Sequence, residues 1–214
     1  MIGASARRVP AQQRSRERLE RILAAATDII AAKGSDQLKM SELAESAGIS
    51  IGSLYQYFPE KSAVIRTLAE RYHAASLRCI EDALNGVRDL DGLQAAYLSL
   101  VDQYYEICLT EPVMRDIWSG MQADKELAAI ELAACRSSAA LLADVLARVH
   151  PKADRTSLAA TALLIWHLGE ATMRLAISLD RREGDALVRA FKQMTVRELI
   201  MPSDKTNQPS PSSR

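Results

Sequence analysis

The sequence predicts an all-α protein: a small three-helix domain followed by a larger helical bundle. Three observations lead there. Apolar residues recur at 3–4 spacing through nearly everything between residues 14 and 201. Seven Pro and nine Gly are few for 214 residues, and three of the Pro fall in the last 13, so long helices can run unbroken. No stretch alternates apolar and polar residues in the manner of a strand.

The elements follow in order. Residues 1–14 are expected to form a basic flexible arm. A first helix from Ser15 to Lys33 places Leu19, Ile22, Leu23, Ala26, Ile29 and Ile30 on one face, and Gly34 stops it. Two short helices, Met40–Ala47 and Ile51–Phe58, flank Gly48 and end before Pro59, which closes a domain of residues 15–59. Neither short piece is stable alone, so both must pack on the first helix.

A second domain is expected over residues 60–201. Its helices run Glu60–Leu84, Leu93–Thr110, Val113–Met121, Lys125–His150, Arg155–Asp180 and Asp185–Met201. Asn85, Gly86 and Asp91-Gly92 bracket one loop, Pro112 and Pro151 end two helices, and Gly184 is expected to break the last two apart. The polar, Pro/Ser-rich tail 202–214 is expected to be disordered.

Composition limits function. The 27 basic and 27 acidic residues cancel, which excludes a polybasic coat for nucleic acid and a strongly acidic tail protein. Residues 1–61 hold nine basic and seven acidic side chains, and six of the basic ones are Arg within the first 21 residues. That run suits either a DNA-contacting arm or plain solvation. Cys79, Cys108 and Cys135 are odd in number and widely spaced, the usage of a reducing cytosol. The apolar stretch Leu158–Gly169 is interrupted by Thr161 and His167 and falls short of the ~20 residues of a membrane span. A soluble, cytoplasmic protein without membrane partners is expected.

The segment Lys39–Lys61, KMSELAESAGISIGSLYQYFPEK, carries the informative motif. Leu43 and Ala44 pack a first short helix inward. Ala47-Gly48-Ile49 makes a turn in which Gly tolerates positive φ. Ser50 is placed to cap the next helix. Helix, Gly-containing turn and helix form a helix-turn-helix, whose second helix can enter the major groove.

Leu43-Ala44, Ala47-Gly48-Ile49-Ser50, Gly52-Ser53-Leu54-Tyr55, Tyr57-Phe58 and Lys61 follow the pattern I/L-A-x-x-A-G-V-S-x-G-T-L-Y-x-Y-F-x-x-K. In this the chain resembles the TetR family of bacterial transcriptional regulators. The resemblance implies a dimeric repressor of a palindromic double-stranded DNA operator, relieved by a small hydrophobic or aromatic ligand. Tyr55 and Tyr57 would give hydroxyls to phosphate, Lys61 a point charge, and Ser53 a donor to phosphate or base. Ile51, Gly52, Lys39 and Ser41 would face bases, and Leu54 and Phe58 would pack inward. Two positions depart from the family. Lys39 stands where Thr or Ser usually caps the helix, and Ser41 where Arg is frequent, removing a bidentate guanine reader.

The family also implies a ligand cavity and a dimer face in the larger domain. Tyr97, Tyr104, Cys108, Met114, Trp118, Met121, Trp166, His167 and Met173 are the candidates for the cavity, with Gln122 a polar neighbour. Aromatic and Met residues at helical spacing also serve as plain core. The last two helices are the expected homodimer face. Ala159, Ala162, Gly169 and Ala176 would allow close approach, with Leu163, Trp166, Leu187, Phe191 and Met194 supplying area. The alternative is a small-molecule or lipid-binding protein of the same fold that has lost DNA binding. No P-loop, dinucleotide fingerprint or H-E-x-x-H helix is present, so no enzyme and no cofactor is expected. His167 and Glu170 at i, i+3 are two donors where a metal site needs three, so no metal is expected.

Overall fold

In a computed structural model, residues 8–111, 113, 114, 116, 117 and 125–201 are described, the side chains of residues 8–11, 125 and 126 excepted. The α-helices are α1 (Arg8–Lys33), α2 (Met40–Ser46), α3 (Ile51–Tyr57), α4 (Lys61–Asn85), α5 (Leu90–Thr110), α6 (Lys125–Val149), α7 (Arg155–Ser178) and α8 (Arg181–Ile200). A 3-10 turn, Ser35–Gln37, follows α1. Val113, Met114, Asp116 and Ile117 are also helical, while Trp118, Met121, Gln122 and the tail from residue 202 lie outside the described residues. The chain divides into two compact units, residues 1–72 with 112–128, and residues 73–111 with 129–214. Both α4 and α6 are shared between them. Among the described residues no helix is long and apolar enough to cross a membrane.

The amino-terminal unit is built on the apolar face of α1. Ile22, Leu23, Ala26, Ile29 and Ile30 are buried with Leu43 and Ala44 of α2, Leu54 of α3, Phe58, and Val64, Ile65 and Leu68 of α4. Each such side chain removed from water contributes roughly 1.5–3 kcal/mol, which is what holds two seven-residue helices in place. Helix α1 begins at Arg8, seven residues before the expected start. Pro10 is tolerated within a first turn, and Ala11, Gln12, Gln13 and Arg14 are good helix formers, so nothing stops the helix there. Residues 8–14 are therefore part of α1.

The carboxyl-terminal unit packs α5 against α7 and α8, and α7 against α8. Leu93, Tyr97, Leu100 and Val101 are buried there, as are Leu142 and Leu146, Leu158, Ala162 and Met173, and Val188, Phe191 and Leu199. Two expected boundaries move. Asp89 caps α5 by accepting from Gly92 N at 2.8 Å, so Asp91-Gly92 forms the first turn and not a loop. Asp180 caps α8 by accepting from Glu183 N at 3.0 Å, which puts Gly184 inside the helix.

Gly184 is there for space. A Cβ on it would lie 2.5 Å from Ala176 O and 2.8 Å from Tyr105 Oη, so α8 crosses α7 where only hydrogen fits. A breaker signal in the sequence is a close-packing contact in the fold.

Part of the expected dimer face is consumed the same way. Ala162, Ala176 and Phe191 are buried within the chain, and a Cβ on Gly169 would meet Phe191 Cζ at 3.3 Å. Left exposed on α7 are Leu164, Leu168 and Leu175, spaced four and seven residues apart on one stripe, with Leu179 just after its end, together with Met194 of α8 and Met201.

Candidate functional site

The helix-turn-helix is formed by α2, a tight turn and α3. Lys39 occupies the N-cap of α2 in an extended conformation and makes no side-chain cap bond. The substitution of a positive charge for a capping hydroxyl therefore forgoes a contribution of about 1 kcal/mol. Glu42, in the first turn of α2, pairs with Lys33 of α1 and ties the two helices together. The turn closes through Ala47 N to Leu43 O at 2.9 Å and Ile49 N to Ala44 O at 3.0 Å. Gly48 sits at φ +66°, the left-handed conformation expected of it.

Ser50 caps α3, its Oγ accepting from Ser53 N at 3.2 Å. Gly48-Ile49-Ser50-Ile51-Gly52 also matches the letters G-x-S-x-G of a hydrolase nucleophile elbow. Such an elbow joins a strand to a helix. Here the segment joins two helices, and the Ser oxygen is spent as a cap.

Helix α3 is anchored by Leu54, fully buried, and by Phe58 immediately after it. Its other side is bare. Ile51 is 43% exposed and Tyr55 50% exposed, and Gly52, Gln56, Lys39 and Ser41 are exposed as well. A Cβ on Gly52 would meet nothing within 4 Å, so no contact inside the chain asks for glycine there. Gln56, the variable position of the motif, was passed over in the sequence. It is exposed on the same segment, and a carboxamide can bond an adenine edge bidentately.

Two expected phosphate contacts already have partners. The Tyr57 hydroxyl lies 3.1 Å from Ser15 Oγ of α1. Lys61 Nζ donates to Asp36 O at 3.2 Å and Ser35 O at 3.5 Å, holding the end of the 3-10 turn. An ammonium has three donors and a phenol both donates and accepts, so each keeps capacity for a phosphate oxygen. On α1, Arg71 of α4 grips Glu20 through two hydrogen bonds of 2.5 and 2.7 Å. Hydrogen bonding from Arg71 holds the Glu20 carboxyl below the usual range. That carboxylate is thus answered from α4, leaving Arg14, Arg16, Arg18 and Arg21 exposed along α1.

The described candidate ligand residues fall in both units. Met114 is buried in the amino-terminal unit, whereas Tyr97, Tyr104, Cys108, Trp166, His167 and Met173 belong to the carboxyl-terminal unit. Tyr97 is core, its hydroxyl donating to Thr195 Oγ1 at 2.8 Å, and Met173 is buried. Burial pushes the Cys108 thiol up to about 12. Trp166 is half-buried and His167 exposed. An open groove of about 470 Å³ lies elsewhere, between α5 and α8, lined by Gln94, Leu98, Arg189, Lys192, Gln193, Val196 and Arg197.

A polar cluster, of which the sequence singled out Glu170 but not Glu131 or Arg174, lies beside Tyr104. Arg174 of α7 pairs with Glu131 of α6 at 3.2 Å, both mostly buried. Glu170 is one turn from Arg174. Burial, with the Glu131 charge, raises its carboxyl to about 7 against the pull of Arg174. Burial and the nearby Cys108 and Glu170 also push the Tyr104 phenol well above its ordinary value. The available signal was polar or ionisable residues one turn apart, Glu131 with Cys135 and Glu170 with Arg174, on helices otherwise rich in Ala and Leu.

Known proteins share both halves. The family described as "Bacterial regulatory proteins, tetR family" matches residues 22–68. The one described as "Tetracyclin repressor-like, C-terminal domain" matches residues 91–202, just over half of the chain. An uncharacterized HTH-type transcriptional regulator, YvdT of Bacillus subtilis, is 37% identical over 70 residues, which is 33% of this chain and 36% of that relative. Among solved structures, a TetR-family transcriptional regulator from Streptomyces coelicolor superposes with a TM-score of 0.67 at 23% identity, over 87% of this chain and 97% of that one. The fatty acid degradation regulator FadR from Bacillus halodurans gives 0.62 at 20% identity, over 83% and 97%. At such identities the structures establish likeness of fold alone.

Proposed function

Since this chain belongs to the TetR family of bacterial regulatory proteins, DNA-binding transcriptional regulators and not enzymes, we propose that it is a ligand-responsive repressor. It binds a palindromic operator as a homodimer. The observation that carries this reading is the bare side of α3. Leu54 and Phe58 fix the helix, while Ile51, Gly52, Tyr55 and Gln56 stand exposed, and no contact inside the chain asks for glycine at position 52. Lys39, Ser41 and Ser53 border that side, Ser50 shapes its start, and Tyr55, Tyr57 and Lys61 supply phosphate contacts.

The dimer forms through α7 and α8. The stripe Leu164, Leu168 and Leu175, with Leu179 and Met194, is an apolar surface of the kind that marks an interface. The effector, a small hydrophobic or aromatic molecule, is held in the carboxyl-terminal unit among Tyr104, Cys108, Trp166 and His167. Its binding changes the separation of the two recognition helices. Two half-sites must lie about one helical turn apart, ~34–36 Å, or a multiple of that, so a modest change releases one of them. The coupling is reciprocal: operator DNA must weaken effector binding by the same factor.

Selection of bound duplexes from a random pool by the full-length chain tests the reading. Enrichment of an inverted repeat supports it, with Tyr55→Ala and Lys39→Ala each weakening binding. Failure to enrich any sequence refutes it.

A further inference from the structure

We propose that Cys135 of α6 and His167 and Glu170 of α7 form a binding site for a divalent transition metal of the zinc class. Their ligand atoms, the Cys sulfur, an imidazole nitrogen and a carboxylate oxygen, all lie within 4.8 Å of one another. Tetrahedral zinc with bonds of 2.0–2.3 Å sets its ligands roughly 3.4–3.6 Å apart. Metal binding would draw the three atoms together by up to about an ångström. His167 and Glu170, at i, i+3, share one face of α7, and Cys135 meets them from α6.

The surroundings fix this arrangement. Glu131 and Arg174, each one turn from the site, join α6 and α7 at 3.2 Å. Residue 131 faces 174 and residue 135 faces 170, so the two helices run antiparallel with Cys135 and Glu170 in register. The two charges of this pair act on the Glu170 carboxyl in opposite directions, Glu131 raising it and Arg174 lowering it. Glu170 Oε2 is buried without a hydrogen-bond partner among the described residues, an arrangement that costs about 1–3 kcal/mol or more. A cation supplies the missing partner.

The donor set names the class of ion. Thiolate and imidazole select zinc-like metals over magnesium or calcium, and three protein ligands leave a fourth position for water or an exogenous group. Burial holds the Cys135 thiol up at about 11 and the Glu170 carboxyl at about 7. Both protons leave when the metal binds, and a thiolate plus a carboxylate then balance a divalent charge exactly where an unpaired anion would be costly. Cys135 is buried while His167 is exposed, so the imidazole side is the way in. The site does not depend on the operator-binding reading and can be tested without DNA.

Titration of the metal-free, full-length chain with Co²⁺ provides that test. We expect one Co²⁺ per chain, a thiolate-to-cobalt charge-transfer band, and displacement by Zn²⁺. Cys135→Ser removes the charge-transfer band, and Cys79→Ser, which alters an exposed thiol, leaves it unchanged. Because His167 is exposed, His167→Ala should keep the fold, checked by circular dichroism, while weakening binding more than roughly tenfold. Glu170→Gln should weaken it similarly. Absence of a one-equivalent band, a band that survives Cys135→Ser, or wild-type affinity in His167→Ala overturns the proposal.

Discussion

Two helical glycines should respond in opposite directions to the same added methyl group. In Gly184→Ala the new Cβ would stand 2.5 Å from the Ala176 carbonyl oxygen and 2.8 Å from the Tyr105 hydroxyl. The Tyr105 side chain can swing, but the Ala176 carbonyl is backbone, so α7 and α8 must part by close to an ångström. Overpacking of this kind costs about 1–3 kcal/mol. Ala gains up to about 1 kcal/mol over Gly in a helix interior, less in a first turn such as this one. The net loss is about 1–2 kcal/mol, and a chain of this size loses about 2–4 °C in Tm per kcal/mol. The expected fall is therefore ~2–8 °C. Gly52→Ala meets nothing within 4 Å, so its Tm should hold or rise by up to ~4 °C. The methyl projects from the exposed side of α3, and operator affinity should fall about tenfold, or ~1.4 kcal/mol. Thermal unfolding by circular dichroism reads the first pair of effects, and fluorescence anisotropy with labelled DNA reads the last. An unchanged Tm in Gly184→Ala, or a loss in Gly52→Ala, would refute the packing argument.

Three more outcomes are expected. The Glu170 carboxyl is raised from 4.5 to about 7 in the fold, so the native state holds more protons than the unfolded chain between those values. Its stability falls as pH rises through that window, by up to about 3 kcal/mol. In chelator-treated protein, Glu170→Gln should recover most of this at pH 8 and little at pH 5; equal effects at both pH values, read by urea denaturation, contradict the assignment. Tyr97→Phe removes the buried bond to Thr195 Oγ1 at 2.8 Å and should cost about 1–2 kcal/mol with no change in the circular dichroism spectrum. Leu164→Glu combined with Leu175→Glu places charges on the exposed stripe of α7; sedimentation should show a folded monomer, and an intact dimer would remove that stripe from the interface.

Local chemistry made much of the amino-terminal unit legible. Gly48 at positive φ, Ser50 as a cap, and Leu54 and Phe58 turned inward all follow from residue types at fixed offsets. Partners distant in sequence were not legible. Nothing near Tyr57 or Lys61 announces Ser15 or the carbonyls of Ser35 and Asp36. Gly184 was misread because a glycine that ends a helix and one that admits a neighbouring backbone look alike until α7 is in place. Cys135 suffered the same way. With only His167 and Glu170 in view two donors fall short, and it takes the pairing of α6 with α7 to bring the third. The charge balance was informative in its limits: neutrality excludes an indiscriminate DNA coat, so specificity has to rest on placed contacts.

The most direct test of a sequence-specific regulator is the salt dependence of its affinity for a selected inverted repeat and for a scrambled duplex of equal length. Phosphate contacts made twice by the proposed two-fold dimer should give a steep fall in log affinity with log salt on both duplexes. Base contacts from α3 should keep the inverted repeat at least ~10³-fold tighter than the scrambled one at physiological salt. Equal affinity for the two duplexes, or binding that is insensitive to salt, would contradict the account.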